Sequence, residues 1–380
     1  MTLVPDKIAT WQMVQPTTRN KETGETIPGR LELVEIPVPV LKPEEVLVEI
    51  AGCGVCRTDL GFFYDGIPTV SKPPLTLGHE ISGTVVAGDA SWIGKEVLIT
   101  AVIPCGQCPL CRTGRSNLCL SPGMPGNSTG IHGGFSSHIP VPGSTLCEIK
   151  NRNIIPLEHL AAVADTVTTA FHAVRRASLG GEDPVVVIGA RGIGPFIVQM
   201  AKILGAKTVI AVDTVDTCLQ KVLTCGADAV INASGKTPKE IAADVKRIRE
   251  KRGLPAFGWK IFETTGTLSG QETALTLLGV AGKLILVEPG TATVEYAMGH
   301  LITLDAEIIG TRGCPPEDYP RVLDMVTSGK IALSPFVQTR PMSWIRNVFE
   351  AVYTTPSDGH ILLTADDLGL EDSPEPKSCR

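Results

Sequence analysis

Two groups of side chains in this chain of 380 residues have the types and spacing to hold a metal ion. Cys56, in AGCGVCRTDLGFFYDG, and His79, in KPPLTLGHEISGTVVAGD, are soft and borderline ligands with acids close by: Asp59 lies three residues beyond the cysteine and Glu80 directly follows the histidine. Carboxylates so placed orient an imidazole ligand and adjust its basicity. The same pair also suits a buried thiol and a structural histidine, because cysteine packs readily as a small apolar group. In PCGQCPLCRTGRSNLC, Cys105, Cys108, Cys111 and Cys119 are separated by two, two and seven residues. Four thiolates gathered by tight turns form a closed tetrahedral set with no vacancy for substrate, as in structural zinc sites, with an iron–sulfur cluster as the rival occupant. The chain has 11 cysteines, an odd number with four of them in this lobe, so metal rather than disulfide chemistry is expected in a reducing compartment.

A third constellation points to a nucleotide. The apolar, β-branched run Val185 to Ile188 meets the turn Gly189-Ala190-Arg191-Gly192-Ile193-Gly194. A helix-period pattern (Ile193, Ile197, Met200, Ala201, Leu204) follows and ends at Gly205, and a second apolar run closes on Asp213, nineteen residues past Gly194. In such a βαβ unit glycines allow the turn, the free N–H groups of the helix start face a pyrophosphate, and the terminal carboxylate hydrogen-bonds the adenosine ribose. Asp213 would repel a 2′-phosphate, which favours NAD over NADP. Arg191 stands where the fingerprint expects its second glycine, and the reading has it swing out to pair with a phosphate. A purely structural βαβ unit is the bland alternative.

These groups must be positioned by two kinds of element. Over residues 1 to about 50 the pattern is period-two and broken by Pro37, Pro39 and Pro43, which predicts antiparallel or edge strands and little helix. From Pro156 to about Leu179 a helix is expected, interrupted near Asp165 to Thr168 and leading into the nucleotide-binding part. Asp165 sits in apolar company (AAVADTV), where an unpaired carboxylate is expensive, so either a nearby cation or a helix N-cap role must account for it. Leu223 to Ala233, WKIFETTG, GKLILVEPG and DAEIIGTRG read as further strands alternating with helices, as a doubly wound α/β sheet requires. The basic run KRIREKRG reads as a solvated helix face, a helix is expected over Tyr319 to Ser328, a strand near HILLT, and the tail EDSPEPKSCR as disordered.

The totals bound the function. The formal charge of −6 with no basic block argues against a nucleic-acid partner, and no apolar run approaches the ~20 residues needed to cross a bilayer. The start, MTLVPDKIATWQ, lacks a signal-peptide core, so a cytoplasmic location is expected.

Taken together, GCGVCRTD, GHEISGTV, the four-cysteine lobe, the nucleotide turn with Asp213, and GKIALSPFVQTRPM resemble the zinc-dependent medium-chain alcohol dehydrogenases over nearly the whole chain. The resemblance implies a β-rich GroES-like catalytic domain (1–160, zinc lobe 105–119), a Rossmann domain (161–311) and a return to the catalytic domain (312–380). It also implies a homodimer or homotetramer. By resemblance Cys56, His79 and Asp165 hold a catalytic zinc, with aspartate in place of the more usual cysteine, while Glu80 matches a carboxylate that ligates transiently. Thr58 matches the hydroxyl that accepts the alcohol proton, Arg57 a pyrophosphate contact, and Thr169 a residue against the nicotinamide. Gly61 stands where many members carry a proton-relaying histidine. The implied chemistry is oxidation of a secondary alcohol to a ketone by NAD, with one catalytic and one structural zinc per chain. DLGFFYDGIPTVSKPPLTLGHEISGTVVAGD, RGLPAFGWKIFETTG and LDAEIIGTRGCPPEDYPRVLDM resemble the branch acting on 6-hydroxycyclohex-1-ene-1-carbonyl-CoA, a cyclic allylic alcohol carried as a coenzyme A thioester. Another zinc alcohol or polyol dehydrogenase, a zinc-free enone reductase, and a non-catalytic nucleotide-binding protein are the competing readings.

Overall fold

The computed structural model describes residues 4–20, 23–290, 292–355 and 357–366, so the expectation for the C-terminal tail lies outside the described residues. Two sheets organise the molecule. The first contains β3 (Glu45–Gly54), β5 (Glu80–Gly88), β6 (Glu96–Ile99), β7 (His138–Pro142) and β8 (Leu146–Glu148), together with two strands from the end of the chain, β15 (Val337–Pro341) and β16 (His360–Thr364). Its order is β8-β6-β5-β3-β16-β15, with β7 also paired to β3. A small companion sheet has β1 (Lys7–Gln15) between β2 (Arg30–Pro37) and β4 (Leu75–Thr76). Every pairing among β1 to β8 is antiparallel, and for β1, β2 and β3 this is what the proline-broken alternation of residues 1 to about 50 predicts. Inward-facing Val46, Val48, Ile50, Ile81, Val97 and Ile99 form its core with Phe135 and Phe349.

The second sheet is parallel throughout. It runs β11 (Ala229–Asn232), β10 (Thr208–Asp213), β9 (Pro184–Ile188), β12 (Lys260–Glu263), β13 (Lys283–Leu286) and β14 (Glu307–Gly310). Strands β9 and β10 are buried along their whole length, because helices cover both faces. Helix α3 (Gly194–Ile203) follows β9 and helix α5 (Pro238–Lys251) carries the basic run, with only Ile241 and Val245 buried. The chain order reverses direction at β9, so the crevice outside the carboxyl ends of β9 and β12 is where a ligand is expected.

The link between the sheets takes the interrupted form expected from sequence. A 3₁₀ stretch, Leu157–Ala164, stops at Asp165, and helix α2 (Thr166–Arg176) begins directly after it. Helix α8 (Tyr319–Thr327) then leads the chain back towards the first sheet. No helix among the described residues is long and apolar enough to cross a membrane.

Candidate metal centres and nucleotide site

One buried acid positions the first two ligand candidates. Cys56 has extended backbone at the N-cap of helix α1 (Arg57–Tyr64), and its N–H donates to Asp59 Oδ2 at 3.1 Å. Asp59 Oδ1 accepts from Gly78 N–H at 3.0 Å and faces His79 Nδ1 at 3.4 Å. A single carboxylate with no solvent exposure therefore fixes the turn before α1 and the turn before β5, and sets its charge beside the imidazole. That leaves Nε2 of His79 as the nitrogen available to a metal, and it lies 3.6 Å from Asp165 Oδ2.

Asp165 reaches the site because the 3₁₀ stretch stops beneath it. The Tyr319 hydroxyl donates to Ala164 C=O and accepts from Ala101 N–H at 3.2 Å, which pins that stretch. Thr169, one turn into α2, donates its hydroxyl to Asp165 Oδ1 at 2.9 Å, leaving Oδ2 for the site. The Asp165 side chain makes no N-cap hydrogen bond, although the residue occupies that position. Donor atoms of Cys56, His79, Glu80 and Asp165 all lie within 4.8 Å of one another.

The electrostatics suit a dication. Burial pushes the Cys56 thiol up to about 12, with Glu80 and Asp165 adding to the rise, so only a strong positive charge makes it a thiolate near neutrality. Burial lowers the His79 imidazolium, but the carboxylates of Asp59 and Asp165 outweigh it and raise the pKa overall. Zinc takes such a sulfur, nitrogen and oxygen set at about 2.0–2.3 Å, which corresponds to ligand separations of about 3.3–3.8 Å, close to the 3.6 Å seen here.

Glu80 is held by residues that sequence reasoning did not single out. Its Oε1 accepts from the Thr166 hydroxyl at 2.9 Å, and its Oε2 meets His360 Nε2 at 2.5 Å. All three are buried. A Cβ on Gly54 would stand 2.1 Å from Glu80 Oε2, so glycine there makes room for the carboxylate. His360 opens β16, 280 residues beyond Glu80, and no local pattern announces a contact of that length.

The second centre is compact. Cys105, Cys108, Cys111 and Cys119 bring their sulfurs within 4.8 Å of one another, with Cys108 3.5 Å from Cys111 and 4.0 Å from Cys119. These separations bracket the edge of about 3.8 Å in a tetrahedral zinc–thiolate set. Backbone N–H groups of Leu120 and Cys111 hold the Cys108 thiol down at about 6, which prepares it as a thiolate ligand.

In the nucleotide loop a Cβ on Gly194 would stand 1.9 Å from Gly189 C=O, so only glycine lets α3 start so close to β9. Gly192 and Ile193 complete the turn between them. Arg191 does not swing outward: its Nε donates to Asp213 Oδ2 at 3.3 Å. Arg57 is half-exposed, pairs with Asp65 at 3.2 Å and lies over the Tyr353 ring. Thr58 is partly buried in the first turn of α1, and Thr169 is spent on Asp165. Glu263 ends β12 and caps the following turn through Thr265 N–H at 2.8 Å. Glu288, just past β13, makes no hydrogen bond among the described residues. Burial and the nearby Asp165 charge push its carboxyl up to about 8, with Arg57 opposing.

Residues 42–151 match the alcohol dehydrogenase GroES-like domain family, and residues 192–328 match the zinc-binding dehydrogenase family. An NAD-dependent alcohol dehydrogenase of Sulfurisphaera tokodaii is 31% identical over 323 residues, 79% of this chain and 87% of that protein. A sorbitol dehydrogenase of Bombyx mori is 29% identical over 323 residues, 82% and 88% of the respective lengths. Among solved structures, a cobalt- and zinc-bound thermostable alcohol dehydrogenase from Pyrobaculum aerophilum superposes with a TM-score of 0.77 at 24% identity, covering 94% of this chain and 99% of that one.

Proposed function

Because the chain belongs to the zinc-dependent medium-chain alcohol dehydrogenase family and is an NAD-dependent zinc alcohol dehydrogenase, we propose that it oxidises a cyclic allylic secondary alcohol carried as a coenzyme A thioester. The substrate is 6-hydroxycyclohex-1-ene-1-carbonyl-CoA and the product its 6-oxo enone, a step of anaerobic aromatic breakdown. The observation that carries the chemistry is the meeting of Cys56, His79 and Asp165, from three separate parts of the chain, with donor atoms within 4.8 Å. The thioester rests on the resemblance of the three long stretches quoted above.

Cys56, His79 and Asp165 would hold the catalytic zinc and the four-cysteine lobe a structural one. When bound, the catalytic zinc supplies a Lewis acid that lowers the pKa of an alcohol. Bound NAD⁺ would supply the hydride acceptor, and Thr58 would accept the hydrogen bond of the substrate hydroxyl and pass its proton on towards solvent, so that alcohol and NAD⁺ would become ketone, NADH and H⁺. Asp59 keeps Nε2 of His79 turned to the site, and Thr169 does the same for Oδ2 of Asp165. Thr166 and His360 hold Glu80 back at the edge of the donor set. Gly61 offers no side chain for proton relay, so the proton leaves by another route. The enzyme works as a cytoplasmic homo-oligomer.

A second reading, a polyol or simple alcohol dehydrogenase, is favoured by Glu288, whose unpartnered carboxyl suits a hydroxyl-rich substrate. Following NADH absorbance with the cyclic hydroxy-enoyl thioester, sorbitol, erythritol and cyclohexanol separates the two. A kcat/KM for the thioester no greater than for the free alcohols removes the first reading. Loss of turnover with a zinc chelator is expected in either case.

A further inference from the structure

A carboxylate at the end of the second strand of a dinucleotide-binding unit selects NAD in two ways: it accepts hydrogen bonds from the ribose hydroxyls, and it repels a 2′-phosphate. Both effects need a free acceptor and an uncompensated charge. Asp213 has neither. An ionised carboxylate offers about four acceptor positions, and here Oδ1 takes Thr214 N–H at 2.7 Å and Val215 N–H at 3.0 Å, while Oδ2 takes Ala190 N–H at 2.7 Å and Arg191 Nε at 3.3 Å. Its side chain is 1% exposed.

Arg191 is in the opposite state. Its side chain is 23% exposed and, among the described residues, only Nε has a partner; Nη1 is shut away from water with no acceptor. An unpaired donor of a charged group is costly, and a guanidinium answers a phosphate with a fork of parallel hydrogen bonds. Asp216, the acid in the first turn of the helix after Asp213, accepts from Asn232 Nδ2 at 2.6 Å. The arginine therefore stands beside Asp213 at the end of β10, partly open to solvent and with donors to spare.

We propose that Arg191, rather than Asp213, meets the 2′-substituent of the adenosine ribose, and that the site accepts NADP as well as NAD. Asp213 buttresses the loop and holds the guanidinium in place. This goes beyond the NAD-dependent activity and is independent of which alcohol is the substrate.

Fluorescence titration of the zinc-replete protein with NADH and with NADPH tests it without turnover. For the unsubstituted protein the two Kd values lie within about tenfold of each other. Arg191→Ala weakens NADPH by about tenfold or more, the loss of one charge-assisted hydrogen bond, and weakens NADH much less. Arg191→Lys recovers part of the NADPH affinity by restoring the charge. Circular dichroism and the retained NADH binding report that the variants are folded. NADPH binding more than about tenfold weaker than NADH in the unsubstituted protein, or an equal loss of both nucleotides in Arg191→Ala, overturns the assignment.

Discussion

Replacing Asp59 with asparagine tests whether one buried carboxylate positions both inner ligands of the catalytic site. The substitution keeps shape and removes charge. Asp59 Oδ2 holds Cys56 N–H at 3.1 Å, and Oδ1 holds Gly78 N–H at 3.0 Å while facing His79 Nδ1 at 3.4 Å. An amide has one oxygen to serve these donors, and its NH₂ must face at least one of them. The residue is fully buried, so water cannot repair the mismatch. One hydrogen bond to a charged acceptor is worth about 1.5–3 kcal/mol, and loss of an outer-shell carboxylate costs about 10–100-fold in metal affinity. Asp59→Asn should therefore bind catalytic zinc at least about tenfold more weakly against a competing chelator, with kcat/KM falling alongside once zinc is limiting. The four-cysteine zinc, held by none of these groups, should stay, so total metal falls from two per chain towards one. Unchanged zinc affinity would mean that Cys56 and His79 are oriented by their own backbone and that the tautomer argument is wrong.

Cys111→Ser should cost the structural zinc while leaving the catalytic one, read as one metal ion per chain by mass spectrometry with a lowered Tm. Tyr319→Phe removes the hydroxyl that serves Ala164 C=O and Ala101 N–H, leaving both buried groups short of a partner, and should destabilise by about 1–3 kcal/mol in denaturant titration. Glu288 has its carboxyl raised to about 8 in the folded state by burial and by Asp165. Its contribution is thus fully present below the ordinary carboxylate range and lost as pH rises through about 8. With the catalytic zinc removed, so that the Asp165 charge is uncompensated, the Tm should fall, relative to Glu288→Gln, between pH 5 and 9; parallel curves for the two proteins would show that the Glu288 pKa is not raised.

Much of this site could be read from sequence because its ligands lie in short, chemically marked stretches. Cys56 and Asp59 share a helical turn, His79 directly precedes a strand, and the four cysteines of the lobe fall within fifteen residues, so spacing alone suggests geometry. The strand-turn-helix-strand unit is legible for a similar reason: β9 and β10 are buried on both faces and so read as unbroken apolar runs. The partners of Glu80 were not legible. Thr166 and His360 are ordinary polar residues in sequence: Thr166 acquires a role because α2 starts beside Glu80, and His360 because the chain, after completing the parallel sheet, returns to add β16 beside β3. Arg191 shows a different limit, since its departure from the glycine pattern is visible but its direction is not: solvent and a phosphate lie one way, Asp213 the other.

The same return of the chain explains why an aspartate can serve where cysteine is the more usual third ligand. A carboxylate has two oxygens, and it is a well-defined ligand only if one of them is engaged elsewhere. Thr169 Oγ1 engages Oδ1, and the 3₁₀ stretch that presents Asp165 is fastened by Tyr319, which the chain reaches only after completing the parallel sheet. Thr169→Val keeps the volume and removes that hydroxyl, freeing Asp165 to rotate or to bind through both oxygens. A lone hydrogen bond to a charged group, about 1.5–3 kcal/mol, sets the upper limit of the loss at roughly a hundredfold in zinc affinity. Cobalt substitution gives a readout that packing alone would not move: the visible spectrum of the catalytic-site metal should change in band position and intensity as its coordination opens. Thr169→Ser, which keeps the hydroxyl, should retain the parent spectrum. Identical spectra for Thr169→Val and the parent would place Thr169 against the nicotinamide with no part in holding Asp165.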